Sequence, residues 1–426
     1  MIHDLNEHDM QEIIYKYLPI RTKEKNAYGE VFTPPELIEK IFGYFPTDVW
    51  KNPNLTWLDP TCGIGNFMII VYKKLMTGLA YWEPDKRKRS NYIIENMLYM
   101  VEINKRNVFV SQNIFGKNAN IIKRDFLNNS PLPKDSFDVI IGNPPFQDDI
   151  GDGKKRAGGK NKLYERILLK CLQLLNKNGI FSFITPDNLF SGGSKAYLEI
   201  IQCHINMICF DKSLKNYFPN IQQHMCYFVV TKETPGFTKI IANIDDNIEF
   251  ECQLVDRPVN PIRNWTKHTE FLVNQYISSQ RNMVIYNRGK SIDQYNNSGK
   301  YPLIYKSSGK LYTNNLELAV GWGVKKIVLF LISPNLEFET DLQGKYGVGP
   351  NTFYIPIKNK NERQILENFL KSDIYKTLAL ATKTNRQFLK IKFIEHLNFA
   401  KIIQKSPWKT RNKKIIKNNT RKIRKK

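Results

Sequence analysis

Between residues 31 and 235, hydrophobic and polar positions alternate between two periods. VFTPPELIEKIFG (31–43) carries a helix start. Thr33 and Glu36 stand at capping-box spacing, with Pro34 and Pro35 in the opening turn. Leu37, Ile38, Ile41 and Phe42 then recur at helical spacing. Short apolar runs follow, each trailed by a helical pattern. TWLDP (56–60) predicts a strand and 66–76 a helix. MLYMVEI (97–103) predicts a strand and 104–114 a helix. NIIKRD (120–125) and FDVIIGN (137–143) are two further strands. Residues 163–175 form a helix with Leu168, Leu169, Leu172 and Leu175 as its apolar stripe. GIFSFITP (179–186) is the next strand, and two more lie near 207–213 and 226–232. Apolar strands alternating with helices predict an open α/β sheet covered on both faces.

From about residue 240 the alternation stops. Mixed segments such as YPLIYKSSGKLYTN (301–314) and KYGVGPNTFYIPI (345–357) are rich in aromatics and turn residues, and 361–381 is helical in pattern. The expected organisation is an α/β domain over 1–240, a smaller α+β domain over 241–405, and a basic, disordered tail over 406–426. Two segments have no apolar period: WEPDKRKRSN (82–91), a charged insertion, and QDDIGDGKKRAGGKN (147–161), a Gly- and Lys-rich loop. The second reads as a mobile lid or DNA-contacting loop, or as a bare surface loop.

Charge narrows the partners. Lys and Arg number 64 against 40 Asp and Glu, a formal +24, which favours a polyanionic ligand through phosphate contacts and counterion release. Residues 405–426 contribute 11 of those charges, so the body is basic without them. The six cysteines form no CxxC pair, and Cys203-His204 with Cys209, or His224 with Cys226, is poorly spaced for zinc. Buried free thiols and no metal are expected, as in a reducing intracellular compartment. No signal-peptide core is present, and no apolar run approaches the roughly 20 residues that span a bilayer. The expectation is a soluble intracellular protein with no membrane partner.

The polar clusters sit at predicted strand ends, where open α/β sheets bind ligands. After the first strand come Asp59, Pro60, Thr61, Cys62, Gly63, Ile64 and Gly65, leading into a helix. The two glycines permit a tight turn and close approach of a ligand, and the helix N-terminus behind them attracts a negative group. A dinucleotide and S-adenosyl-L-methionine fit this element equally well. Glu102 ends the next strand and can accept from ribose hydroxyls, which both ligands carry. Asp125 ends the third, where it can accept from the amine of an adenine ring beside Phe126.

The fourth strand ends in Asn143, Pro144, Pro145 and Phe146, and hydride transfer needs no such element. Methyl transfer to a planar amine does. The lone pair of an aromatic amine is delocalised into its ring. The Asn143 amide oxygen and the Pro144 carbonyl can accept its two protons and draw the nitrogen towards a tetrahedral shape. Prolines lock the backbone that carries these acceptors, and fixed dipoles facing developing charge are efficient catalysts. Phe146 can stack on the base. A rigid turn explains the tetrapeptide alone equally well; the three acidic strand ends upstream favour methyl transfer.

Together, the TPP element, the glycine loop and the Asn-Pro-Pro-Phe signature ahead of a C-terminal domain resemble the gamma group of N6-adenine DNA methyltransferases. The likeness spans about 25–235. It implies a doubly wound, mostly parallel seven-stranded sheet and a C-terminal target-recognition domain. It also implies S-adenosyl-L-methionine as methyl donor and double-stranded DNA as substrate. By resemblance, Thr33, Asp59, Thr61, Cys62, Gly63, Glu102, Asp125, Phe126 and Pro145 bind the cofactor. Asn143, Pro144, Pro145 and Phe146 form the catalytic element. Phe218, in YFPNIQQHMCYFVV (217–230), matches the position of a second aromatic against the flipped base, and reads equally as a core residue. Two features depart from the family pattern: the loop has only two glycines, and the linker to Glu102 is long. A flipped adenine would enter the pocket, and no strong general base is needed. The implied enzyme is a monomer, with any cognate restriction endonuclease acting separately. Related signatures occur in enzymes that methylate RNA adenine or guanine, or a release-factor glutamine. N4-cytosine methylation and a non-catalytic DNA-binding subunit are the remaining alternatives. The charge and the C-terminal domain disfavour the glutamine reading, and Asn143 favours adenine over cytosine.

Overall fold

The computed structural model describes residues 33–128, 131–146, 162–210, 213–218, 221, 223–243, 248–282, 285–287, 294–306, 309–333, 335–383 and 389–405. The loop 147–161 and the basic segment 406–426 lie outside these residues. The chain divides into two compact units. The first comprises Met1–Leu189 and Ser194–Val255, the second Phe190–Gly193 and Asp256–Lys426.

The first unit is built on one sheet. Its strands are β1 (Trp57–Asp59), β2 (Leu98–Glu102), β3 (Asn120–Lys123), β4 (Phe137–Gly142), β5 (Leu175–Pro186), β6 (His204–Cys209), β7 (Met225–Thr231), β8 (Phe237–Asn243) and β9 (Ile248–Gln253). Their order is β3-β2-β1-β4-β5-β7-β6-β8-β9. Every pair from β3 through β5 is parallel, whereas β7 runs antiparallel to both β5 and β6. The sheet therefore has nine strands among the described residues, not the seven expected, and it continues past residue 240. Ile240 and Ile241 are buried, and β8 pairs with β6 and β9. That hairpin extends the sheet edge and moves the unit boundary to Val255.

Strand order reverses at β1. The chain builds β1, β2 and β3 in one direction, then returns to add β4 on the other side of β1. A crevice opens at such a switch point, outside the carboxyl ends of the strands. At the opposite, amino ends of these strands Asp138 ties β4 to its neighbours: it accepts from Thr56 N (2.8 Å), Thr56 Oγ1 (2.9 Å) and Asn176 Nδ2 (2.7 Å).

The helices largely follow the sequence pattern. They include α1 (Pro35–Phe42), α2 (Asn66–Gly78), α3 (Lys86–Tyr92), α4 (Lys105–Phe115), α5 (Leu163–Leu174), α6 (Lys195–Ile200) and α7 (Leu214–Tyr217). Three details differ from the sequence reading. The insertion at 82–91 contains helix α3, because Asp85 caps it by accepting from Arg87 N and Lys88 N. The buried face of α5 is Tyr164, Ile167, Leu168 and Cys171, rotated from the predicted leucine stripe towards a tyrosine and a cysteine. Thr33 makes no capping bond to α1, since its hydroxyl is engaged elsewhere. Cys62, Cys171, Cys209, Cys226 and Cys252 are buried free thiols, and Cys203 is half-buried. No helix among the described residues is long and apolar enough to cross a membrane.

The second unit has a four-stranded sheet of order β10-β16-β13-β14: β10 (Ile285–Asn287), β13 (Lys326–Phe330), β14 (Phe338–Asp341) and β16 (Thr352–Pro356). A smaller sheet, β12-β11-β15, comprises β11 (Tyr301–Lys306), β12 (Gly309–Thr313) and β15 (Gly347–Val348). Period-two alternation splits β13: Ile327 and Leu329 join one core, with Ile365, Leu366, Phe369, Leu378 and Phe393. Val328 and Phe330 join another, with Ile304, Val348 and Tyr354. Helices α8 (Lys267–Tyr276), α9 (Lys360–Lys371), α10 (Asp373–Thr382), α11 (Ile391–His396) and α12 (Phe399–Lys405) complete the unit. Thr266 and Thr269 form a reciprocal cap on α8. Arg257 meets Glu270 in a two-pronged pair at 2.6 and 2.7 Å, the geometry a guanidinium favours.

Gly65 joins β1 to α2 with a left-handed φ of 95°, and a Cβ there would lie 2.7 Å from the buried Phe115 ring. We expect Gly65→Ala to cost about 2–4 kcal/mol, combining left-handed strain and overpacking. A lowered chemical-denaturation midpoint checks this, and an unchanged one refutes the packing.

Candidate active site

The carboxyl ends of β1, β2 and β4 lie side by side, and a chain of contacts joins them. Asp59, the last residue of β1, is 1% exposed. Its Oδ1 accepts from Thr61 N at 3.0 Å. Gly142, at the end of β4, backs directly onto it: a Cβ at 142 would come within 2.9 Å of Asp59 Oδ1. Only glycine lets the two strand ends approach this closely.

Glu102 ends β2 and faces the glycine loop. Its Oε2 accepts from Gly63 N at 2.8 Å and its Oε1 from Asn104 N at 2.6 Å. Cys62 N donates to the Val101 carbonyl at 3.0 Å, and Ser111 Oγ, on α4, donates to the Gly63 carbonyl at 3.2 Å. The loop is thus tied to β2 at two successive residues. Burial raises the Asp59 pKa to about 8, against a lowering contribution from Thr61 N and with a smaller push from Glu102. Burial also pushes the Cys62 thiol well above its usual range, with Asp59 and Glu102 adding to the effect. This cysteine is packing, not a nucleophile.

Asn143 emerges half-buried from β4, and its Nδ2 donates to Thr33 Oγ1 at 3.1 Å. This bond spans 110 residues of chain and leaves the amide oxygen directed by its own geometry away from Thr33. Thr33, which the resemblance assigns to the cofactor, is thus in direct contact with Asn143. Pro144 is buried, while Pro145 and Phe146 are half-buried. The Phe146 ring meets Tyr164, in the first turn of α5, edge to face at 6.3 Å and 80°.

The third strand end differs in part from its predicted role. Arg124 N donates to the Glu102 carbonyl at 2.9 Å, which brings Asp125 next to β2. Asp125 is exposed, with its Oδ1 accepting from Leu127 N at 2.9 Å. The Phe126 ring is buried beneath Lys170, whose ammonium sits 5.1 Å from the ring centroid and bonds the Phe126 and Asn128 carbonyls. Phe126 supports this corner and does not present its ring. Phe218 is 2% exposed and belongs to the core cluster with Leu214, Met225 and Tyr227. In this placement it is a core aromatic, so stacking on a base would require it to leave that cluster.

Two residues at the site, Ile103 and Asn66, had no role in the sequence reading. Ile103 follows Glu102 and is 51% exposed, an apolar side chain facing outwards exactly one residue past the acidic strand end. Its place as the last residue of the predicted strand, next to Glu102, is the sequence signal for it. Thr61 Oγ1 and Asn66 Oδ1 are buried without a hydrogen-bond partner; both flank the glycine loop at the start of the 13-residue helix α2. Such orphaned polar atoms, a sealed carboxylate that lacks a cation and an exposed apolar edge suit a ligand with cationic, polar and planar parts.

Comparison with known proteins bears on this site. The Eco57I restriction-modification methylase family matches residues 67–243, a span that holds Glu102, Asp125 and 143–146 but begins after the glycine loop. The chain is 28% identical over 229 residues to "Modification methylase CviBIII" of Paramecium bursaria Chlorella virus NC1A, covering 51% of this chain and 53% of that protein. It is 30% identical over 176 residues to "Type II methyltransferase M.VspI" of Vibrio sp. (strain 343), covering 39% of each. The chain thus spans about half or less of the length of these curated relatives. Among solved structures, the ATP-dependent Type ISP restriction-modification enzyme LlaBIII bound to DNA superposes with a TM-score of 0.56 at 12% identity, over 94% of this chain and 41% of that one. At that identity the likeness is one of fold.

The raised Asp59 pKa has a consequence for stability. The folded chain holds this proton from about pH 4 to about pH 8, whereas the unfolded chain releases it near pH 4. Stability contributed through this group therefore falls as pH rises across that window, by up to about 1.4 kcal/mol per pH unit. Asp59→Asn should flatten the profile between pH 4 and 8; urea denaturation at a series of pH values checks it, and a wild-type slope in the variant refutes the burial effect.

Proposed function

We propose that the chain is a DNA methyltransferase that uses S-adenosyl-L-methionine to methylate N6 of a flipped-out adenine, with the gamma-group arrangement and the second unit as its target-recognition domain. The observation that carries this reading is the Asn143 amide, delivered by β4 to the switch point and held by Thr33 beside the sealed Asp59 carboxylate.

The donor set fits the cofactor. Asp59, Thr61, Cys62 and Gly63 line its methionine end, where the α2 N-terminus favours a carboxylate and Asp59 favours a cation. Thr61 Oγ1 and Asn66 Oδ1 offer acceptors for its ammonium. Glu102 would hold the ribose hydroxyls, Asp125 would accept from the adenine amine, and Ile103 would pack on its ring. Pro145 lines the side nearest the methyl group. When bound, S-adenosyl-L-methionine supplies a methyl group on an electrophilic sulfonium.

The chain's own residues prepare the acceptor. With its nitrogen committed to Thr33, Asn143 directs its oxygen to one proton of the target amine, and the Pro144 carbonyl takes the other. Both bonds strengthen as positive charge develops on the nitrogen, so they stabilise the transition state more than the ground state. The methylated nitrogen is acidic enough to release its proton to solvent. Phe146, braced by Tyr164, packs on the flipped base.

Incubation with duplex DNA and methyl-labelled S-adenosyl-L-methionine, followed by nucleoside analysis, should give labelled N6-methyladenine. Asn143→Ala should lower kcat by about 10² or more, the scale of losing one catalytic dipole. Label in N4-methylcytosine, or label in an RNA substrate run in parallel and none in the DNA, would replace the adenine-DNA reading, and an unchanged Asn143→Ala rate would sink the mechanism. Thr33→Val should reduce kcat about tenfold without altering cofactor affinity by calorimetry. A variant that loses cofactor binding and keeps kcat would return Thr33 to a cofactor role.

A further inference from the structure

The second unit contains a buried charge pair that the methyl-transfer site does not use. Lys326, the first residue of β13, is 0% exposed. Its ammonium donates to Asp341 Oδ2 (2.8 Å) and to the carbonyls of Gly321 (3.0 Å), Val324 (2.9 Å) and Tyr346 (2.5 Å). Asp341 in turn accepts from Gln343 N (3.2 Å), Lys345 N (3.1 Å) and Tyr346 N (3.0 Å). The pair thus organises two loops, 320–324 and 342–346, which also bond to each other through Gly323 N and the Gly344 carbonyl at 2.9 Å. An apolar pair of the same size would serve a core as well as this one. The bonds of Lys326 and Asp341 go to loop backbone, so what they secure is loop shape.

The peptide groups on both sides of Tyr346 are held by this pair, and its half-buried side chain packs on one side against the cluster of Ile304, Val328 and Val348 and on the other meets a lysine. There the Lys310 ammonium, from β12, bonds the Tyr346 hydroxyl at 2.9 Å and lies 4.4 Å from its ring centroid. Lys310 and Lys345 are both exposed. Glu339, on β14, is the carboxylate close enough to interact with Lys310. A surface lysine ordinarily loses much side-chain freedom when it meets a phosphate. Lys310 is already placed by an aromatic ring whose own backbone is anchored from the interior.

We propose that the edge formed by Lys310, Lys345 and Tyr346 is a preorganised contact surface for the phosphate backbone of duplex DNA, with Lys326 and Asp341 as its positioning residues. Lys310 and Lys345 each meet a phosphate, and Tyr346 holds Lys310 in place. This rests on the DNA-methyltransferase reading above and adds the surface by which the second unit grips its substrate.

The test is the salt dependence of binding by the full chain to a fluorescent duplex, measured by anisotropy across a sodium chloride series. Each lost phosphate contact lowers the slope of log K against log salt by about 0.9. Lys310→Ala combined with Lys345→Ala should lower it by about 2. Tyr346→Ala should lower it by about 1 although no charge is removed, and Tyr346→Phe should retain most of the wild-type slope. A control pair in the same unit, Lys358→Ala with Lys360→Ala, should leave it unchanged. If the wild type methylates DNA and the Lys310/Lys345 variant keeps the wild-type slope, the surface is elsewhere and only this proposal is overturned. An equal fall in the control pair overturns it too, since the effect is then general charge. If the wild type neither binds nor methylates duplex DNA, the functional reading fails, and this proposal with it.

Discussion

A buried carboxylate pressed against a glycine sets the geometry of the first unit. Asp59 closes β1 with almost no exposure, and Gly142 closes β4 with its Cα turned onto the same oxygen. Any side chain at 142 would force the strand ends apart. Because they stay together, Asn143 leaves the sheet beside the glycine loop. The loop is drawn to the neighbouring strand through Gly63 N and Glu102. Three strand ends thereby share one small space, as parallel pairing at a switch point allows.

The cost of that arrangement is an acid sealed away from water without a cation, as its raised pKa records. Burying such a group costs stability, a cost that the cationic part of the proposed cofactor would offset. The same logic applies to Thr61 Oγ1 and Asn66 Oδ1, buried without partners. Local stability is given up where a ligand restores it, a pattern expected at functional sites and not in cores. The surrounding framework offsets the loss with ordinary means, including the sheet, the tightly packed helices and the polar clasp at Asp138.

The second unit follows a different plan. Its charge pair at Lys326 and Asp341 is satisfied by backbone atoms of two loops, so polar burial there shapes a surface and leaves no vacancy of charge. One unit thus holds a buried acid, bonded to the Thr61 amide, at a crevice, and the other an ion pair bonded to loop backbone beneath an exposed basic edge. The two arrangements suit different tasks, chemistry on a small group and grip on an extended polyanion.

Much of this was legible in the linear sequence, for a physical reason: strand ends are local events. An apolar run that stops at Asp59, Glu102 or Asn143 places that residue at a sheet edge whatever the rest of the chain does, and the two prolines after Asn143 stiffen the backbone locally. The sequence by itself determined the alternation of strands and helices and the identity of the polar residues at their ends. Tertiary structure decided what distance in sequence conceals. Thr33 reads locally as a helix cap, but Asn143, 110 residues away, takes its hydroxyl. Phe126 and Phe218 look available for stacking, yet a lysine covers one and the core takes the other. The sheet gains two strands, β8 across residue 240 and β9 beyond it, because β8 finds a partner edge in β6, which no local pattern announces. Side-chain partners and sheet edges are settled by packing between segments, and a pattern read along one chain carries no record of which segments will meet.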